Sequence, residues 1–183
     1  MGALTLTLQE TLFPVRGYDC DSIHRQVQTL VPAQKRAEAR LLYRLEGPVA
    51  RVRTPGVVGP DSRPVEVELA AGRRYLFHLR ANVTKKVHPD GRKNGMRVPD
   101  KDWTGWLLRH QFGWVAREVW KRMAPKAVGR KPDGLPLTFT GVDYHGILEC
   151  TDPAELARCL LDGLGPGKPY GFGMLMVEPL CNH

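Results

Sequence analysis

The 183-residue chain has no apolar run approaching the roughly 20 residues needed to cross a bilayer. Its opening, Met1 to Glu10, also lacks the basic-then-apolar layout of a signal peptide. These two absences predict a cytoplasmic protein with no membrane partner. Cysteine is scarce as well. Cys20, Cys150, Cys159 and Cys181 contain no CxxC pair and sit far apart, which argues against a zinc site or a disulfide framework and predicts small packed side chains. Low-complexity tracts are missing, and 42% hydrophobic with 25% charged residues excludes a disordered or collagen-like chain. The length suits one domain or two small ones.

Acidic residues are thin over one stretch. From Arg73 to Lys131 there are four Asp and Glu against 16 Lys and Arg, whereas the remainder carries 15 acidic and 11 basic residues. The formal charge of +8 is therefore a basic middle block, interleaved with Trp103, Trp106, Trp114 and Trp120. Such a surface suits a polyphosphate, because each neutralised phosphate releases counterions and gives salt-dependent affinity for nucleic acid. The alternative is a solvated charged face with the tryptophans, which recur at helical spacing, in the core. Pro89, Gly91, Gly95 and Pro99 interrupt the block and disfavour a membrane-surface helix.

Leu4, Leu6 and Leu8 alternate with polar residues as a half-buried strand. Asp19 or Asp21 then caps a helix whose apolar face is Ile23, Val27 and Leu30, ended by Pro32. Leu41 to Leu45 and Val49 to Arg53 read as a hairpin around Gly47-Pro48, and Val65, Val67 and Leu69 as a further strand after the loop Thr54 to Pro64. In the second half, Arg74 to Asn82 reads as a strand with basic side chains outward. Asp100 caps a helix through Trp103, Trp106 and Leu107, and Phe112, Val115, Val119 and Met123 continue at helical spacing. Leu135 to Phe139 and Val142 to Cys150 are strand-like, Thr151 caps a helix through Leu156 and Leu160, and Met174 to Val177 is a last strand. That order is β-α-β-β-α-β. The expected fold is α+β, two tandem ferredoxin-like (RRM-like) domains with antiparallel sheets, covering residues 1–70 and 71–183, the second with the basic insertion.

Between the last helix and strand lies Gly163-Leu-Gly-Pro-Gly-Lys-Pro-Tyr-Gly-Phe-Gly173. It is not a phosphate-binding P-loop: Asp162 stands at the first glycine position, Pro169 follows Lys168, and the order is helix to strand. Two readings stay open, a tight structural turn or a bare backbone at Gly165 and Gly167 against which RNA lies while Lys168 supplies charge.

This closing region, from Val142-Asp-Tyr-His-Gly-Ile-Leu148 through Thr151-Asp-Pro153 and the glycine loop, resembles that of the CasE family of CRISPR-associated endoribonucleases within the RAMP superfamily. Arg40-Leu-Leu-Tyr-Arg-Leu45 and Phe77-His-Leu-Arg-Ala-Asn82, followed by Thr84-Lys85-Lys86, resemble two further family strands in the same order. The resemblance implies a metal-independent, cofactor-free ribonuclease that binds the CRISPR repeat stem-loop and cuts pre-crRNA at the 3' base of the hairpin. It further implies retention with other subunits of a Cascade-like interference complex. The family's histidine falls on His24, a residue type able to move protons near neutral pH for 2'-OH attack, which leaves a 2',3'-cyclic phosphate.

Without the family, His24 is an ordinary helix histidine. His78 and His145 are second candidates, and His88, His110 and His183 read as surface residues. Some members carry Tyr three residues before the histidine and Lys five after it, where this chain has Asp21 and Thr29. Tyr18 is assigned a supporting role and Asp21 an orienting one. Arg80, Lys85, Lys86, Arg92, Lys93, Arg97 and Lys168 are placed along the RNA, which is held through phosphates and shape. The competing readings are an RNA-binding subunit that no longer cuts and a ferredoxin-like ribosomal or assembly protein.

Overall fold

The computed structural model describes residues 2–32, 41–54, 56, 61–86, 95–131 and 133–180. The alternating leucines open strand β1, Leu4–Pro14. Helix α1, Cys20–Gln28, starts where the Asp19 carboxylate accepts from the Ser22 amide at 2.7 Å, which satisfies one of the free N–H groups of the first turn. It stops at Thr29, whose amide and hydroxyl both return to the Gln26 carbonyl. Strands β2, Leu42–Glu46, and β3, Val49–Thr54, form the expected hairpin, and β4, Arg63–Leu69, completes a sheet ordered β2-β3-β1-β4, antiparallel throughout.

The second sheet consists of β5, Arg74–Ala81; β8, Trp114–Met123; β11, Val142–Cys150; and β12, Leu175–Pro179, ordered β12-β5-β11-β8 and again antiparallel. Helix α2, Trp103–Leu108, joins β5 to β8, and α3, Pro153–Asp162, joins β11 to β12. Each sheet has its four strands in the spatial order fourth, first, third, second, with hairpin and crossover connections. The molecule is thus α+β, two ferredoxin-like units in tandem. Two hairpins are inserted in the second: β6, Thr84–Lys86, with β7, Gly95–Arg97, before α2, and β9, Ala127–Arg130, with β10, Pro136–Phe139, before β11.

Four expectations are corrected here. Phe112, Val115, Val119 and Met123 do not continue a helix; from Trp114 onward this segment is β8, the edge strand, and its pairing with β11 shifts register between Ile147 and Leu148. The Leu135 to Phe139 strand exists as β10 but pairs only with β9, outside the main sheet. The cap of α3 is Asp152, accepting from the Ala154 and Glu155 amides, rather than Thr151. Likewise Asp100 begins a 3-10 turn and its side chain pairs with Arg97 instead of capping α2.

Tyr75, Phe77, Leu79 and Ala81 of β5, with Tyr144 and Leu148 of β11, pack against Trp106 and Leu107 of α2 and Leu156 and Leu160 of α3. Leu8, Val67 and Leu69 of the first sheet belong to the same core, because α3 touches β1 and β4 as well as β12. As well as the second sheet, α3 thus covers part of the inner face of the first. The rest of that face is closed by α1, through Ile23 and Val27 against Val15, Tyr43, Ala50 and Val52. The described cysteines, Cys20, Cys150 and Cys159, are free and buried, as expected.

Candidate active site

Helical spacing puts Ile23 and Val27 into the core and leaves His24 half-buried on the flank of α1, beside the glycine loop. That loop forms a 3-10 turn, Lys168–Tyr170, between Gly167 and Gly171, both left-handed. The buried Tyr43 hydroxyl donates to the Pro169 carbonyl at 2.9 Å, and that carbonyl also favours the protonated form of the His24 ring. The Tyr170 ring lies 5.7 Å from that of His24, centroid to centroid, and stacks at 4.7 Å on Phe139 of β10. Burial pulls His24 below the usual imidazole range, opposed by the Asp21 charge and the Pro169 bond. Burial also raises Tyr170, with the Asp21 charge adding to it. At neutral pH the arrangement therefore presents a neutral imidazole with a protonated phenol beside it.

A cavity of about 630 Å³ opens next to this pair, bounded by Ile23, Tyr43, Arg80, Lys126, Tyr170 and Phe172. Tyr18 stands on its rim and is 93% exposed. Tyr18 thus shares the cavity with Tyr170, but among the described residues the ring that meets His24 is that of Tyr170. Asp21 is buried, with its carboxylate 3.3 Å from Arg25 Nε, and it acts on His24 through its charge. Thr29, where some family members carry Lys, is the C-cap of α1. The entry to α1 is held from the second unit, where the Arg130 amide of β9 donates to the Asp19 carboxylate at 3.0 Å. Asp19 was expected as a helix cap, but its bond to Arg130, 111 positions away, was not, and Tyr43, Pro169 and Tyr170 were given no role because each acts across more than a hundred residues.

The predicted RNA-binding residues fall into several groups. Arg80 lines the cavity but is engaged in two bonds to Asp143, at 2.8 and 3.1 Å, so it is first a structural ion pair. Lys85 and Lys86 lie on β6, opposite Met96 and Gly95 of β7. Arg97 is exposed at the base of that hairpin, 2.8 Å from Asp100 and over the Trp103 ring. Arg92, Lys93 and also His88 lie outside the described residues. The bare faces of Gly165 and Gly167 are filled by protein: a Cβ at Gly165 would stand 2.7 Å from Trp106, and one at Gly167 3.2 Å from Asn82 and Phe172. Lys168 sits on the turn beside Pro169, two residues from Tyr170.

The other histidine candidates form a separate cluster. His78 Nε2 is 2.9 Å from Nη2 of the buried Arg44, and burial with the Arg44 charge pulls His78 down to about 4, so it is a neutral acceptor at the junction of the two units. His145 is exposed and stacks on Trp120, which is the exposed member of the tryptophan set; the other three are core residues. His110 is half-buried, stacked on Trp106, rather than a free surface residue.

A family model described as CRISPR associated protein matches residues 50–179. The CRISPR-associated endoribonuclease Cse3 of Thermus thermophilus is 30% identical over 190 residues, covering 86% of this chain and 89% of its own. The CRISPR system Cascade subunit CasE of Escherichia coli is 28% identical over 130 residues, 65% of each chain. The chain belongs to the CasE family. The CasE fold is shared with a solved structure of the CRISPR endoribonuclease Cse3 bound to 19 nt RNA, with a TM-score of 0.76, 26% identity, and coverage of 94% of this chain and 98% of that one. Among the described residues of this CasE relative, no helix is long and apolar enough to cross a membrane.

Proposed function

We propose that this chain is a CRISPR repeat endoribonuclease that binds the repeat stem-loop and cleaves pre-crRNA at the 3' base of the hairpin without a metal ion. Residues 1–70 and 71–183 form its two units, the cytoplasm is its compartment, and the mature crRNA stays bound alongside other subunits of a Cascade-type complex. The observation that carries the reading is His24, a half-buried imidazole on α1 of a family member, whose ring meets that of Tyr170, which lines the adjoining cavity. A ring nitrogen of the neutral His24 takes the proton of the ribose 2'-OH as that oxygen attacks the adjacent phosphorus. Asp21 favours the imidazolium that results, and Tyr18 stands where a base would enter the cavity. Lys85, Lys86, Arg92, Lys93, Arg97 and Lys168 supply charge to the RNA backbone, and Gly165 and Gly167 shape the loop.

The test is cleavage of the repeat RNA in EDTA by wild type and His24→Ala, with a 2'-deoxy substitution at the cut site. Wild type is expected to cut. His24→Ala should lose about 10²–10⁴-fold in rate while still binding, and the deoxy substrate should resist both. Tight binding with no cutting by wild type would support the second reading, a hairpin-binding subunit. That reading is favoured by one observation: Asp21, paired with Arg25, and Thr29, a helix cap, occupy the positions where other members place Tyr and Lys.

A further inference from the structure

In-line attack by a 2'-OH moves two protons, one off the nucleophile and one onto the leaving 5'-oxygen, and His24 alone accounts for the first. The groups around His24 can be taken in turn. Asp21 is buried and paired with Arg25, so it bears on His24 only as a charge. The Tyr43 hydroxyl is buried and committed to the Pro169 carbonyl. The Cys20 thiol is buried, and burial raises it. Tyr18 stands on the cavity rim, almost wholly in solvent. Tyr170 differs from all of these: its ring packs against His24, it lines the cavity, and among the described residues its hydroxyl has no hydrogen-bond partner that would hold back its proton. Three features fix its place, the 3-10 turn between two left-handed glycines, the stack on Phe139 and the bond from the Tyr43 hydroxyl to the neighbouring Pro169 carbonyl.

We propose that Tyr170 is the second proton-transfer residue, the acid that protonates the leaving 5'-oxygen while His24 takes the proton of the 2'-OH. This rests on the endoribonuclease reading above. As the bond from O2' to phosphorus forms, the bond from phosphorus to O5' breaks. The 2'-OH proton goes to His24, the Tyr170 phenol proton goes to O5', and the products are a 2',3'-cyclic phosphate and a 5'-hydroxyl. The imidazolium then returns its proton, through solvent, to the Tyr170 phenolate, and no other reactant is consumed. Burial and the Asp21 charge keep the phenol protonated until the leaving oxygen, a stronger base, develops charge.

The experiment is single-turnover cleavage by wild type, Tyr170→Phe and His24→Ala. The substrates are ordinary repeat RNA and RNA in which sulfur replaces the bridging 5'-oxygen at the bond that wild type cuts, because a thiolate leaves without being protonated. The Phe variant keeps the ring that stacks on Phe139 and meets His24, and equal RNA affinity will verify that it is folded. Tyr170→Phe is expected to cut ordinary RNA about 10²-fold slower or more, and the sulfur substrate to bring it within a few-fold of wild type while leaving His24→Ala slow. Wild-type speed of Tyr170→Phe on ordinary RNA, or a slow rate that sulfur does not restore, overturns the assignment and leaves the endoribonuclease reading intact. Failure of wild type itself to cut overturns both.

Discussion

Burial takes His24 below the ordinary value of 6.5, while the Asp21 carboxylate on the same helix and the Pro169 carbonyl pull the other way. A general base works from its neutral form, so the cleavage rate should rise with pH through the His24 pKa and then level. Because burial prevails, the bend is expected below pH 6.5, and at that pH the wild type should keep more than half of its plateau rate. Asp21→Asn removes the charge that favours the imidazolium, so the bend should move lower still with RNA affinity unchanged. A single-turnover rate profile from pH 5 to 8 checks both; a bend above 6.5, or an upward move in Asp21→Asn, would show that the titrating group is not His24 in this surrounding. The helix that carries His24 was legible locally, in Asp19, Ile23 and Val27, whereas His24 itself was singled out by the family resemblance, the residues alone reading it as an ordinary helix histidine. Tyr170 was not legible, because what gives it a role is a ring contact between the two ends of the chain.

At the scale of elements, the glycine loop turns out to be a mount for Pro169 and Tyr170, with all five of its glycine faces packed on protein. Gly165 has φ +73, where an L side chain is strained, and a Cβ there would lie 2.7 Å from Trp106, itself buried and backed by Tyr144. Gly165→Ala combines left-handed strain of about 1–2 kcal/mol with overpacking of about 1–3 kcal/mol. Urea unfolding should show a loss of about 2–5 kcal/mol at unchanged m value, and the cleavage rate should fall with the displaced turn. An unchanged midpoint would mean that the loop yields freely and Trp106 is not its support. Element order was readable wherever pattern and packing agree, as in β1, the β2–β3 hairpin and β11. It failed at β8, where Phe112, Val115, Val119 and Met123 mimic a helical stripe. β8 is an edge strand: Trp114 is buried, most of the strand beyond it is open to solvent, and the register shift opposite Ile147 and Leu148 breaks any strict alternation. The β9–β10 hairpin was misplaced for a related reason, since Asp19 reaches Arg130 across 111 positions and leaves no local signal.

At the scale of the molecule, the two units are joined by more than the turn between β4 and β5. Arg53 of β3 is 5% exposed; it pairs with Glu10 of β1 at 2.7 Å and donates through Nη1 to the carbonyls of Leu160 in α3 and Leu175 in β12, at 3.1 and 2.6 Å. One guanidinium thus ties the first sheet to the shared helix and to the closing strand, and burial penalises its charge while Glu10 offsets that penalty. Removing one partner of such a pair leaves a buried charge uncompensated, which costs about 3–5 kcal/mol. Arg53→Met should fall toward the lower end of that range, because Glu10 keeps the Arg51 guanidinium at 3.5 Å. Glu10→Gln should lose less, because Arg53 keeps its two carbonyls. The double variant should lose less than the two singles together, since each single already removes the Arg53–Glu10 pair and the second substitution cannot remove it again. All four tryptophans lie in residues 71–183, so fluorescence follows the second unit while far-ultraviolet dichroism follows both. With α3 common to the two cores, the wild-type transitions by the two probes are expected to coincide in urea. Separate transitions, or additive losses in the double variant, would show that the units fold independently and that Arg53 does not couple them.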